Sequence, residues 1–429
     1  MKMDNRPTPT PPDTFVSEPT RKLPVDATYD VAVAGAGIAG VAAALAAVRQ
    51  GLSVVLIEKQ FGLGGLATLG HVIKYLPLCD GYGKQVMGGI AEELLHHSVA
   101  ELTKPMPSAA FVPLDDCWKN EDNLPKRLRK RLMTSFNPYA FQMQMEQVLG
   151  EAGVTLMYDT RVCQVLKSGK ALTHLIVENK SGRLALKADA FVDASGDADL
   201  AWLADCAVER FTHNVLACWH YEIKNGKLCL AMFSNPYDPE HRDGGKATGP
   251  FFSGTDHRDV TEQVLASHRL LLERLRQKQE KAPESTIYPF ALPSIPDFRV
   301  TRCLRNAFTI RESHRHQWLE DCVGITGDWR KRGPIYPIPL RALLADSCTN
   351  LFVAGRCISS DQSVVDVTRA IGTCAVSGQA SGTAAAMMVK DRLTDAHELP
   401  VDKLQQRLRN DGALIHPDLL KAHPRAKAK

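Results

Sequence analysis

Apolar and polar positions change period repeatedly over the first sixty residues. Val31, Val33 and their neighbours form a short apolar β run, and an alanine-rich helix follows the glycine turn. A second apolar run, SVVLI, follows and closes on Glu58. Gly35, Gly37 and Gly40 separate the first strand from the helix in the order G-x-G-x-x-G. The pattern predicts strand, glycine turn, helix, strand and acid in that order.

Further along, Ile90, Leu94 and Leu95 sit at helical spacing within Met87 to Glu101, whereas residues 103–125 carry several prolines and read as irregular. Phe141 to Ala152 predicts an amphipathic helix capped by Gly153, then one strand through VTLMYDTRVCQVL. Two more β runs follow, THLIVENKSG and LALKADAFVDASGD, with Ser181-Gly182 as the hairpin turn between them. From 205 to 345 the strand-helix rhythm breaks into strands, a charged helix over Val264 to Lys281 and proline-rich loops. It resumes with the strand NLFVAGRCIS and a small-residue helix over Thr373 to Lys390.

This order predicts an α/β chain: a Rossmann-like nucleotide-binding domain of three layers, a parallel sheet plus a β-meander, with an inserted mixed α+β substrate domain. The expected boundaries are a flexible leader over 1–27, a discontinuous nucleotide domain over 28–102, 136–204 and 346–393, and an insertion over 103–135. A substrate or cap domain is expected over 205–345, and a C-terminal helix with a basic tail over 394–429.

The glycine fingerprint points to a dinucleotide. Gly35 permits a sharp turn, Gly37 lets backbone approach a pyrophosphate, and Gly40 lets the helix pack closely on the strand. The helix presents free N–H groups and its positive dipole end to phosphate. Ala39 lies in that first turn. Glu58, eighteen residues after Gly40, is placed to accept hydrogen bonds from a ribose, with Lys59 beside it. An acid there suits an unphosphorylated 2′-hydroxyl.

Composition narrows the class. Val31 to Val48 is eighteen residues without a charge, near the lower limit for a bilayer span, but fingerprint glycines and the lack of a basic flank argue against one. A net charge of +4 on 429 residues makes no electrostatic case for nucleic acid. Lys126, Arg127, Arg129, Lys130 and Arg131 interleave with Leu128 and Leu132, which suits a solvated helix face. Eleven cysteines without a C-x-x-C pair suit reduced thiols in a cytoplasmic protein, with no metal site. The Pro- and Thr-rich start lacks the apolar core of a signal peptide.

Four glycine-bearing loops each follow a β run or its acidic end: GAGIAG, GLGGLAT, DASGDAD and AGRCISS. Such a set suits a long, bent cofactor held at adenine, pyrophosphate, ribityl chain and ring. Through Gly35, Gly37, Gly40, Glu58, Gly64, Gly65, Ala67 and Thr68, then VDASGDAD, IRESHR, LFVAGRCIS and RAIGTCAVSGQASGTAAA, the chain resembles the FAD-dependent oxidoreductases with a glutathione-reductase-like nucleotide domain. The resemblance implies bound FAD, with Gly64, Gly65 and Thr68 at the pyrophosphate and ribityl end and the backbone of Val162 at adenine. It implies that Ala194, Ser195, Gly196 and Asp197 stand for the usual A-T-G turn and its acid. Where relatives place a Gly-Asp pair on the ribityl chain, this chain has Gly355-Arg356, with Asp361 five residues later.

Gly372, Thr373 and Cys374 begin the last small-residue helix, whose N-terminus suits the negative charge that develops at a reduced flavin. GITGDW, at 324–329, lacks a preceding β run, so no second fingerprint for a pyridine nucleotide is expected. For chemistry, the polar cluster Arg311, Glu312, Ser313, His314, Arg315 and His316 would alternate along a strand, with Arg311, Ser313 and Arg315 on one face. Arg311, Glu312, His314 and Arg315 are the catalytic candidates, against an ion-paired structural strand. Arg356 and Arg369 flank the fourth loop and suit an anionic substrate. His71 or Cys79 is the candidate for covalent flavin attachment, and His220 with Tyr221 for proton transfer. The expected function is dehydrogenation of a polar small molecule by hydride transfer to flavin N5, with a separate electron acceptor. The alternatives are reduction of an activated C=C bond, or a flavin-bearing RNA-modification or assembly protein. No membrane partner is expected, and a homo-oligomer is left open.

Overall fold

The computed structural model describes residues 15–100, 114–118, 123–235 and 249–424. The start of the expected leader, much of the 103–135 insertion and the end of the basic tail lie outside the described residues.

One seven-stranded sheet organises the chain. Strand β1 (Val25–Ala34) leads into helix α1 (Ile38–Val48), then β2 (Val54–Ile57) pairs parallel to β1. After helices α2 (Ile90–Val99) and α3 (Pro138–Ala152), the short strand β3 (Thr155–Met157) extends the parallel edge beside β2. The strands β4 (Arg161–Ser168), β5 (Ala171–Asn179) and β6 (Gly182–Asp193) form an antiparallel meander. The far half of β6 returns to the parallel set, between β1 and β7 (Leu351–Val353). Val31 to Ala34 and all of β2 are buried, the continuous apolar signature of strands covered on both faces. The uncharged run from Val31 to Val48 is therefore the end of a strand, a turn and an eleven-residue helix. Among the described residues, no helix is long and apolar enough to cross a membrane.

Helices α1, α2, α3 and α6 (Ile371–Lys390) pack together as the helical layer. Glycine sets the distance between α1 and α6: a Cβ on Gly378 would lie 2.2 Å from the carbonyl oxygen of Ala39, and one on Gly382 2.2 Å from that of Ala43. The two backbones touch.

The region between the Rossmann pieces carries its own three-stranded antiparallel sheet, of Lys227–Ser234, Ala217–Lys224 and Ile287–Ala291. Helix α5 (His257–Lys281), capped by the Asp256 carboxylate, packs on it. Leu216, Cys218, Phe233, Phe252, Leu271, Leu275 and Phe298 form a second small core there.

Four local expectations change. VTLMYDTRVCQVL is two strands on different parts of the sheet, because Asp159 turns the chain at φ 50°. The first strand begins at Val25, since the leader's end pairs with Ala185 of β6. GITGDW belongs to a fully buried strand, Cys322–Gly327, paired with Ile335–Pro339. The 310–316 segment is no strand: Glu312–His314 is a single 3-10 turn, closed where His314 Nδ1 accepts from the Arg311 amide at 3.0 Å. The expected alternation of Arg311, Ser313 and Arg315 is therefore lost.

Candidate active site

Four turns converge at the carboxyl ends of the parallel strands, where open α/β sheets bind ligands. At the end of β1, Gly35 turns at φ 94°, and a Cβ there would lie 2.6 Å from the Ala194 oxygen. Gly40 is tighter still, since its Cβ would meet the Gly35 oxygen at 1.8 Å. Gly37 differs: a Cβ there would meet nothing within 4 Å, and no side chain caps α1. Open space thus faces an uncapped helix N-terminus, a site for phosphate. Glu58 is 8% exposed and holds this turn, accepting from the Ala36 amide at 2.8 Å and the Gln60 amide at 2.9 Å.

The second loop is laid against the first, where the Gly64 amide donates to the Ala36 oxygen at 2.8 Å. Gly64 and Gly65 both have positive φ. Thr68, 3% exposed, braces the loop from behind by donating its hydroxyl to the Leu63 oxygen.

The third turn is built on Asp193, which is fully buried and accepts from the Ser195 hydroxyl at 2.6 Å and the Ala201 amide at 3.0 Å. Burial pushes its carboxyl up to about 6, with the neighbouring Asp199 adding to the effect. Ser195 Oγ in turn accepts from the Asp199 amide at 2.9 Å, so the hydroxyl expected here is structural.

The fourth turn begins at Gly355, at φ 82°, whose amide donates to Ser377 Oγ at 2.9 Å. Arg356 then reaches across the site. Its Nε donates to the Gly196 oxygen, its Nη1 to the Phe298 oxygen at 2.9 Å and its Nη2 to Asp197 Oδ1 at 2.8 Å. Asp197 also accepts from Thr301 Oγ1 at 2.7 Å and faces Lys59 Nζ at 3.8 Å. Burial alone would raise the Asp197 carboxyl, but the charges of Arg356 and Lys59 hold it below the usual range.

These turns enclose a cleft of about 560 Å³, within the range of cofactor sites. Of the expected cofactor residues, Gly35, Gly37, Ala39, Glu58, Lys59, Gly64, Gly65, Ala67, Ala194, Ser195, Gly196, Asp197, Gly355, Arg356 and Cys374 line it. Six do not. Gly40 and Thr68 support the loops from outside. Val162 is replaced by its neighbour Arg161, which lines the cleft one position earlier. Asp361 accepts from the Ser363 amide at 2.9 Å, away from the cleft. Gly372 faces Leu78 and Met87, and Thr373 shares a 2.7 Å hydrogen bond with Thr326, so α6 presents Ile371 and Cys374 instead.

The expected catalytic cluster lies elsewhere. Glu312 accepts from Tyr336 Oη at 2.5 Å and pairs with Arg315 at 3.2 Å, while His314 stacks on Phe308 at 4.8 Å. Arg311, Glu312, His314 and Arg315 do not line the cleft; the turn formed by His314 directs the group to the surface. His71 and Cys79 are both buried and also miss it. His71 lies edge-on to Tyr221 at 5.1 Å, and His220 Nε2 lies 3.5 Å from Glu222, its imidazole held below the usual range by burial. In the basic run, Arg127 sits over Trp118, Lys130 faces Asp115 and Arg131 donates to the Trp329 oxygen.

Sequence reasoning expected a substrate domain over 205–345 and named Arg369, but none of the residues by which that region lines the cleft. Gly254, His257, Val260, Thr261, Ile295, Pro296, Phe298 and Thr301 close the cleft from the inserted region. Arg369, held by Asp366 at 2.7 Å, enters beside Ile371.

A match to the FAD dependent oxidoreductase family covers residues 30–213 and 309–408, more than half of the chain and all four turns. The chain belongs to this family. FAD is its cofactor, and the geometry fits: the Gly37 space suits the pyrophosphate and Glu58 the adenosine ribose. The match steps over 214–308, the stretch that supplies most of the opposite wall.

Thioredoxin reductase of Ureaplasma parvum serovar 3 is 39% identical over 72 residues, which span 17% of this chain and 23% of that protein. Among solved structures, p-nitrophenol 4-monooxygenase from Pseudomonas putida DLL-E4 aligns over 94% of this chain and 92% of its own, at 9% identity and a TM-score of 0.47. A geranylgeranyl bacteriochlorophyll reductase-like protein from Thermoplasma acidophilum covers 89% and 82%, at 12% identity and 0.45.

Proposed function

We propose that this FAD-dependent oxidoreductase dehydrogenates a polar small organic molecule and passes the electrons to a separate acceptor. The supporting observation is the fate of GITGDW. All six residues of Cys322–Gly327 are buried, and a Cβ on Gly324 would meet Val376 at 2.4 Å. That glycine serves packing and not a second dinucleotide turn, which supports a reading in which electrons enter from the organic substrate. Bound FAD supplies the hydride acceptor. The chain supplies the pose: Ile295, Pro296 and Phe298 form an apolar wall, and Arg369, His257 and Thr261 bring polar groups to the same cleft.

The test is anaerobic reduction of the purified, flavin-loaded enzyme, followed in the visible spectrum. Bleaching by a member of a panel of hydroxy acids, sugars and amines is the expected result. Bleaching by NADH or NADPH alone, with the whole panel inert, overturns the proposal.

A further inference from the structure

Two thiols from distant parts of the chain meet under the surface. Cys206 Sγ and Cys348 Sγ lie 3.5 Å apart, and 142 positions separate them. Cys206 follows the short helix α4 (Asp199–Leu203), behind Asp205 at φ 60°; Cys348 lies in the loop that enters β7. They are 6% and 2% exposed, yet Asp205, Ala207, Asp346 and Ser347 beside them in sequence are exposed. Lys167 Nζ donates to the Ala204 oxygen at 2.6 Å and faces Asp205 at 3.4 Å.

The environment divides the roles of the two sulfurs. A hydrogen bond from Cys206 holds the Cys348 thiol below its ordinary range against burial, with Ser347 and Lys167 acting in the same direction. The same contact, with burial, keeps Cys206 protonated. One sulfur is set up as the attacking thiolate and the other as the resolving thiol.

We propose that Cys206 and Cys348 form a reversible disulfide when the enzyme meets a hydroperoxide. The Cys348 thiolate attacks the terminal peroxide oxygen. The O–O bond breaks, the other oxygen leaves as an alcohol, or as water from hydrogen peroxide, with the proton that Cys348 gave up, and Cys348 becomes a sulfenic acid. Cys206 then attacks that sulfur. An S–S bond forms, the S–O bond breaks, and hydroxide leaves as water with the Cys206 proton. Two thiols and one hydroperoxide thus give one disulfide, one alcohol and one water; the sulfurs lose two electrons and the O–O bond gains them.

The bond would tie the segment after the third cofactor turn to the one before the fourth. Closing so long a loop restricts the unfolded chain far more than the folded one.

The test treats full-length, flavin-loaded protein with hydrogen peroxide and digests it without reductant. A linked peptide pair carrying Cys206 and Cys348, an intact mass lower by two hydrogens and reversal by dithiothreitol are expected, as is a melting temperature that rises in the wild type and not in Cys206→Ala. Both thiols still alkylated by iodoacetamide after peroxide, or Cys348 driven to a sulfinic acid without the link, overturns the proposal. The peptide map of the wild type decides the matter even if the variant folds poorly.

Discussion

Arg356 and Asp197 meet at 2.8 Å in the cofactor cleft, and the other guanidinium nitrogens of Arg356 are bound to the Gly196 and Phe298 oxygens. One side chain thereby joins the third turn, the fourth turn and the inserted wall. Arg356→Ala leaves the Asp197 carboxylate beside a more distant Lys59, at a cost of about 3 kcal/mol. Thermal unfolding of the variant shows that loss, and its flavin-to-protein absorbance ratio after gel filtration falls. Arg356→Lys restores little of either, because an ammonium cannot reach three acceptors fixed in different directions.

Two fingerprint glycines separate fold from cofactor. Gly37 has backbone angles that any residue adopts and open space where a Cβ would go. Gly37→Val keeps the stability of the flavin-free protein within about 0.5 kcal/mol and abolishes FAD binding, measured by fluorescence titration. Gly40→Ala does the reverse kind of damage: its methyl meets the Gly35 oxygen, and urea unfolding shows a loss of about 3 kcal/mol.

Arg311 and Arg315 lie outside the cleft. Double replacement by alanine leaves the rate of flavin reduction by a found substrate unchanged in stopped flow. Glu312→Ala instead lowers stability by about 1–2 kcal/mol, because it removes the acceptor of the buried Tyr336 hydroxyl. A slowed reduction step in the double variant would return the cluster to the chemistry.

Much of the cofactor bed was legible because its determinants are local. Gly35, Gly37 and Glu58 act within one β-α-β unit, and each glycine is demanded by a turn or an approach a few residues away. Val162 is expected to reach adenine through its backbone, and the residue of that strand that lines the cleft is its neighbour Arg161. The strand expected over 311–315 is a turn because a histidine nitrogen captured a backbone amide three residues earlier, and such local bonds compete with extended structure. His257, Ile295 and Phe298 left no trace in the sequence. Their place depends on how a separately cored region lands on the nucleotide fold.

Acid should loosen the helical layer before the sheet. Arg49, just after α1, holds Glu93 of α2 through two hydrogen bonds, at 2.8 and 2.6 Å. The Arg49 hydrogen bond, opposed by burial and aided by His97, holds the Glu93 carboxyl down to about 2. A carboxyl lowered on folding stabilises above its unfolded value and loses that contribution as pH falls towards the folded one. Glu93→Gln therefore melts below the wild type at pH 6. Calorimetry across pH 5 to 2.5 shows the interval closing.

The contact of Gly378 and Gly382 with the carbonyls of Ala39 and Ala43 joins the beginning of the nucleotide fold to its end, backbone on backbone. The span between the Gly35–Gly40 turn and the start of α6 is thus a fixed ruler, free of the conformations of long side chains. Gly254, His257 and Phe298 lie outside that ruler, so replacing them leaves the spacing of α1 and α6 as it is.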